Sequence, residues 1–417
     1  MDTGTTAFML CCIIGLTVMI PGLALFYGGM VSVKSSTNMM MMTFGAVAVV
    51  GVLWVLFGFS MSFGTSYGGL VGSFTEFLGM KNLTKPMTTI NGLPISLFAL
   101  FQALFAAITV ALVSGAAADR MKFSAWMAFA TAWAILVYFP VAHWVFAVDG
   151  GVTPDAKGGW IANKLKAIDF AGGTAVHINS GAAALAVAIV LGKSLGFGKF
   201  RKPHNVPLTL LGAGLLWAGW YAFNGGSALA AGTSAAIVMV TTFTATCAAT
   251  LAWLAVEKIK DGHVTGVGAA SGAVAGLVAI TPACGAVTPV GSIFLGLIAG
   301  AICPLAVGLK ARFGYDDSLD VVGVHLVGGI LGTLLIGFFA SASMPNQVDG
   351  LFYGGGADQL WKQAIAAGAV MTYSFVVAFV IALVIKKTMG IRISADEEET
   401  GIDTKYHRDA AYELLPA

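Results

Sequence analysis

Eleven apolar stretches, each close to the length of a bilayer crossing, constrain this chain more than any other feature. They cover residues 5–30, 37–63, 94–118, 123–148, 170–191, 206–224, 232–256, 264–280, 287–309, 321–340 and 364–385. A hydrocarbon core about 30 Å thick needs about 20 apolar residues per helix. The eighth stretch is short and rests on its flanks. Charged residues make up only 10% of the chain, against about 25% in a soluble domain. An all-α polytopic membrane protein of eleven transmembrane helices is therefore expected. The first residues, Met1-Asp2-Thr3-Gly4, lack the basic region of a signal peptide, so the first apolar run reads as a membrane span. The five cysteines lie in or beside apolar runs and suit packing rather than a disulfide framework or a metal cluster.

Lys and Arg set the orientation. Of the 22 in the chain, sixteen fall in one set of loops and the tail, and six in the other. The richer set belongs in the cytoplasm, which puts the N-terminus outside and the C-terminus inside. A membrane domain over 1–389 and a cytoplasmic tail over 390–417 follow. The tail carries the acidic run Asp396-Glu397-Glu398-Glu399 and is too short for an enzymatic domain.

Two stretches inside this frame rhyme. One runs from Asp169 through Val176-His177-Ile178-Asn179, the other from Asp320 through Val324-His325-Leu326, and glycines surround both. They begin the fifth and tenth helices. Five spans separate them, so two repeats of five face opposite ways, with one extra helix. Such inverted repeats carry their site near the midplane. His177 lies eight residues beyond Asp169, about 12 Å, and His325 five beyond Asp320, about 8 Å. Roughly 10 Å of the core remains between them, which allows the imidazoles to touch if the aspartates start below the surface. Ionisable groups at this depth are costly and functional by default. Asp169 suits a helix N-cap and also the recruitment of a cation. Asp320 is expected to be a cap.

Further motifs carry a family resemblance. Pro21 to Gly29, Phe101-Gln102 with Phe105 and Ile108 to Leu112, Asp169 to Asn179, Trp220 with Phe223-Asn224 and Gly226-Ser227, Ala270 to Leu277, and Thr281 to Gly285 fall in one order along the chain. In this set the chain resembles the ammonium transporters of the Amt/Mep/Rh family, on its Amt/Mep branch. The resemblance implies a homotrimer with one pore per subunit and a hydrogen-bonded pair, His177 and His325, lining each pore. It implies a gate of Phe105 and Phe223 above the pair. It also implies an outer ammonium site with Ser227 as acceptor and Phe101 as a further wall, and an Asp169 needed for site integrity or deprotonation. The family's Trp over the outer site is replaced here by Phe146, a weaker cation–π face. Trp144 is about 200° away round the helix, and the loop 149–166 looks longer than the family norm. His143 reads as structural.

By the same resemblance the cytoplasmic face, including 199–205, docks PII-type signalling proteins. Gly401-Ile402-Asp403-Thr404 with His407 resembles a regulatory tail motif, with Thr404 at a modified position. The reading is ammonium transport across a cytoplasmic membrane. NH4+ is recruited outside and deprotonated, and NH3 passes the histidines. An Rh-like electroneutral gas channel, or an ammonium sensor acting through PII-type partners, are the alternatives. No nucleophile–base pair, metal set or phosphate loop is visible, so no enzyme activity and no cofactor are expected.

Overall fold

A computed structural model describes residues 1–83, 92–198 and 202–412. Among the described residues, ten helices are long and apolar enough to cross a membrane. They are α1 (Thr3–Met30), α2 (Val33–Phe63), α3 (Ile95–Ala117), α4 (Phe123–Phe146), α5 (Gly173–Leu191), α6 (Val206–Gly226), α7 (Thr233–Asp261), α9 (Pro289–Phe313), α10 (Val322–Phe339) and α11 (Asp358–Thr388). The short eighth apolar stretch forms α8 (Gly266–Ile280). The fold is all-α, with one small hairpin pairing Ser66–Tyr67 with Val71–Gly72. Of the basic residues used for orientation, Lys85, Lys199 and Arg201 lie outside the described residues, as does part of the 199–205 loop.

Small residues let these helices approach closely, as lipid-solvated packing requires. At Gly332 of α10, an added Cβ would lie 1.9 Å from the Ala279 carbonyl oxygen of α8, so no side chain fits that crossing. α5 is the most enclosed span, with 89% of its apolar window buried.

Hydrogen bonds group the connections into two sets, as alternating spans demand. At one end Asp2 N–H donates to Gly92, Phe170 N–H to Pro282, and Asn346 N–H to Gly285. At the other, the buried Arg120 guanidinium ties three connections together. It donates to Ala116 O and Gly192 O, each at 3.1 Å, and to Ser318 Oγ at 2.5 Å. The tail joins this second end. Lys122 N–H donates to Ile391 O, and Ile393 N–H to Arg120 O. The short helix α12 (Ala395–Thr400) opens with a reciprocal capping box between Ser394 and Glu397.

Candidate functional site

The site is built from two helix starts. Asp169 precedes α5, and its carboxylate accepts the N–H groups of Gly172, Gly173 and Thr174 at 2.6–2.8 Å, with the Thr174 hydroxyl as a further donor. These are the orphan donors of a helix N-terminus, so the cap role read from the sequence is realised. Burial pushes this carboxyl up, and the bonds from Thr174, Gly172 and Gly173 oppose the rise. Gly172 has φ +116°, and a Cβ there would lie 2.5 Å from Val176, so only glycine permits this entry. The next residues, Gly173–Ile178, form a π turn that carries His177.

α10 starts in the same way, but from a different residue than expected. Asp320 does not cap the helix. Its backbone is left-handed, φ +62°, and its carboxylate pairs with Lys310. The cap is Asp317, whose Oδ2 accepts the Val322 N–H at 2.7 Å. Burial first, with the neighbouring Asp320 adding to it, raises the Asp317 carboxyl to about 6. A second π turn, Val322–Leu326, then carries His325. π segments are rare and often mark functional sites.

The two imidazoles meet. Nδ1 of His177 lies 3.1 Å from Nδ1 of His325, with ring centroids 5.3 Å apart and planes 27° from parallel. One Nδ1 must carry the hydrogen and the other accept it. Both rings are buried, and Nε2 of His177 has no partner among the described residues. The small cavity beside them is lined by Leu23, Ile108, Leu112, Leu216 and Val274, with room for about one water-sized molecule, about 10 Å³.

Phe223 lines this cavity and belongs to a cluster of aromatic rings. Phe105 and Phe223 stack at 4.0 Å and 14°. Phe101 packs on Phe105 at 4.9 Å, and Phe146 meets Phe105 edge-on at 6.1 Å. Ser227 ends α6 one turn beyond Phe223. Its hydroxyl donates to Phe223 O at 2.8 Å, so its lone pairs are left to accept. The structure thus brings Phe101, Phe105, Phe146 and Phe223 together, with Ser227 beside them. Trp144 turns away, donating to Leu70 O at 2.7 Å and packing against Tyr373 and Trp160. The 149–166 loop is occupied with the hairpin: Ser66 N–H donates to Lys157 O, and Trp160 N–H to Gly69 O. His143 is structural, its ring nitrogens bonded to Ser62 O and Ser66 Oγ.

Asp403 lies far from this cavity, on the tail. It is buried, and accepts from Thr37 N–H at 2.9 Å and Asn38 N–H at 2.7 Å near the start of α2. His407 bonds Asn38 Oδ1 at 2.9 Å, while Thr404 is exposed. Two residues escaped sequence reasoning. Asp317 sits eight residues before its histidine, as Asp169 does, and that equal spacing was the available signal. Trp220 was visible only as part of a motif, yet its indole stacks on His177 at 5.5 Å and 19°. Its i,i+3 relation to Phe223 puts both on one helix face.

The chain is similar to known proteins over nearly its whole length. The model described as Ammonium Transporter Family matches residues 7–412. An "Ammonium transporter" of Mycobacterium tuberculosis (strain ATCC 25618 / H37Rv) is 52% identical over 438 aligned residues, covering 100% of this chain and 91% of the relative. One from Bacillus subtilis (strain 168) is 44% identical, covering 99% of each. Among solved structures, Candida albicans Mep2 superposes with a TM-score of 0.87 at 33% identity, covering 95% of this chain and 87% of that one.

Proposed function

The chain belongs to the Ammonium Transporter Family, and on that premise we propose that it moves ammonium across the cell membrane by stripping its proton and passing NH3 along the His177–His325 pair. It is a multi-pass membrane transporter and not an enzyme. The observation that carries the mechanism is the buried Nδ1–Nδ1 contact of 3.1 Å beside a small, apolar-walled cavity. Removing an ion from water costs several kcal/mol that such walls do not repay. Neutral NH3 escapes that cost, and the imidazole pair offers it a donor and an acceptor.

The outer end is the Asp169 end, with the N-terminus outside and the tail in the cytoplasm. The distribution of Lys and Arg supports this, as does the inverted five-plus-five plan with its two matching histidine turns. NH4+ is collected by Ser227 and the faces of Phe105 and Phe146, with Phe101 as a further wall. Asp169 holds the site's backbone and supplies negative charge near it. The Phe105–Phe223 pair is the gate. The membrane domain spans 1–389. The tail, 390–417, is regulatory through Asp403 and Thr404, on the face that a PII-type protein would meet. The assembly is a homotrimer with one pore per subunit.

The test is ammonium and K+ current in proteoliposomes for wild type and His177→Asp side by side. Ammonium and K+ are close in size, but K+ has no proton to lose. An acceptor-only carboxylate would favour whole cations, so K+ should compete or pass in the variant alone. Wild-type K+ conduction, or full ammonium selectivity in the variant, would refute the mechanism.

A further inference from the structure

Trp220 occupies the junction of gate and histidine pair. Its ring lies 5.5 Å from Phe223 and, nearly parallel, 5.5 Å from His177. An indole could rotate about two bonds, and one contact prevents it. Its Nε1–H donates to Thr281 Oγ1 at 2.8 Å, and that hydroxyl donates onward to Leu277 O at 2.7 Å. The hydroxyl therefore has a fixed direction, with its hydrogen on Leu277 and its lone pair on Trp220. Thr281 closes α8, so a helix that contributes no histidine sets the plane of the ring facing His177.

We propose that Thr281 is a positioning residue for proton passage: it holds the Trp220 indole face against His177, where that face stabilises the imidazolium formed as a proton crosses. The inference rests on the proposed separation of proton and NH3. The proton balance is simple. A proton accepted at His177 Nε2, the nitrogen without a partner, is matched by one that Nδ1 passes to His325 Nδ1, and His325 releases one from Nε2. Each ring is neutral before and after, and positive only in transit. A cation within about 6 Å of an indole face is attracted to it, most strongly where water is excluded. Neutral NH3 gains nothing from that face, so the pair acts on charge movement and not on nitrogen movement.

This asymmetry provides the test. Purified protein in proteoliposomes is given an ammonium jump, and charge moved is divided by labelled ammonium nitrogen accumulated. Thr281→Val keeps the shape and leaves the indole N–H without its acceptor. Charge per nitrogen should fall about tenfold, the rate equivalent of about 1.4 kcal/mol. Thr281→Ser, which keeps the hydroxyl, should restore it. If Thr281→Val does not insert, Trp220→Phe removes the same N–H anchor and should lower the same ratio. Current and uptake falling in equal proportion would mean a merely structural contact and overturn the proposal, as would an unchanged ratio in Thr281→Val. Uptake without current in the wild type would instead show that the stripped proton stays outside, which overturns this inference and leaves the proposed passage of NH3 standing.

Discussion

Replacing Asp403 should release the tail from the second helix by an amount that can be worked out. The first N–H groups of an α-helix have no internal partner. Ser35, which precedes the α-helical part of α2, provides no side-chain cap. The need is met from the tail, where both carboxylate oxygens of Asp403 accept, from Thr37 N–H and Asn38 N–H. Hydrogen bonds to a charged group contribute about 1.5–3 kcal/mol each, and the positive helix end favours the carboxylate. Asp403→Ala removes both bonds and leaves two largely buried donors. Local docking should weaken by about 3–5 kcal/mol, and opening of the 401–408 segment should become roughly a hundred to a few thousand times more populated. Asp403→Asn keeps one acceptor oxygen and should lose about half of that. The rest of the tail stays attached, because Arg392 donates to Lys193 O at 2.8 Å, Glu398 Oε1 accepts from Leu195 N–H at 2.6 Å, and Tyr412 receives Asn205 Nδ2–H at 2.8 Å.

Hydrogen exchange by mass spectrometry reads this directly. Peptides covering 36–42 and 401–408 should lose protection together in Asp403→Ala, by less in Asp403→Asn, and peptides around 392–398 should keep theirs. Wild-type protection in Asp403→Ala would show that the tail is held by something other than this cap. Loss along the whole tail would show that it docks as one unit, against the independence argued from Arg392.

Three further outcomes are expected. Phe146→Trp should strengthen ammonium capture by less than about 1 kcal/mol, the difference between the two rings at a wet site; unchanged uptake at low ammonium in Phe146→Ala would remove Phe146 from the site. Asp317, raised to about 6 from an ordinary 3.8, contributes stability that is full below about 3.8 and lost as pH rises through about 6, a swing of about 3 kcal/mol at most. Asp317→Asn should therefore melt higher than wild type at pH 8 and no higher at pH 4, and a wild type that melts at or above the variant at pH 8 would contradict this. Native mass spectrometry in mild detergent should show a trimer, and a monomer with full transport would count against the assembly.

The helices were legible because lipid leaves little freedom: a span must be long, apolar and hydrogen-bonded within itself. Even the fifteen-residue α8 could be found from its flanks. The histidines were legible because an ionisable group at depth is conspicuous. Periodicity could not reveal the π turns that carry them, since one extra residue per turn leaves little mark on an apolar run. The stacking of Phe105 and Phe223 was available only through the family motifs, because in composition they resemble the other 25 phenylalanines. Asp403 was visible in a motif, but its partners, Thr37 and Asn38, lie more than 360 residues away.

Asp317 shows how a near miss can mislead. Pairing Asp169 with Asp320 matched an aspartate with an aspartate at different distances from the histidines, eight residues and five. Pairing it with Asp317 equalises the spacing at eight, and the carboxylates then bond alike: Asp169 accepts from Thr174 N–H and Asp317 from Val322 N–H, each five residues on. Only the last part of each path is helical, from Gly173 to His177 and from Val322 to His325, so each histidine lies about one turn inside its helix, just beyond a capping carboxylate. The meeting of the imidazoles, 5.3 Å between ring centroids, depends on two buried caps that fix where each helix begins. Shortening either path by one residue would turn its histidine about 100° round the helix and away from its partner, and so the caps, though they do not touch the rings, determine whether a pair exists.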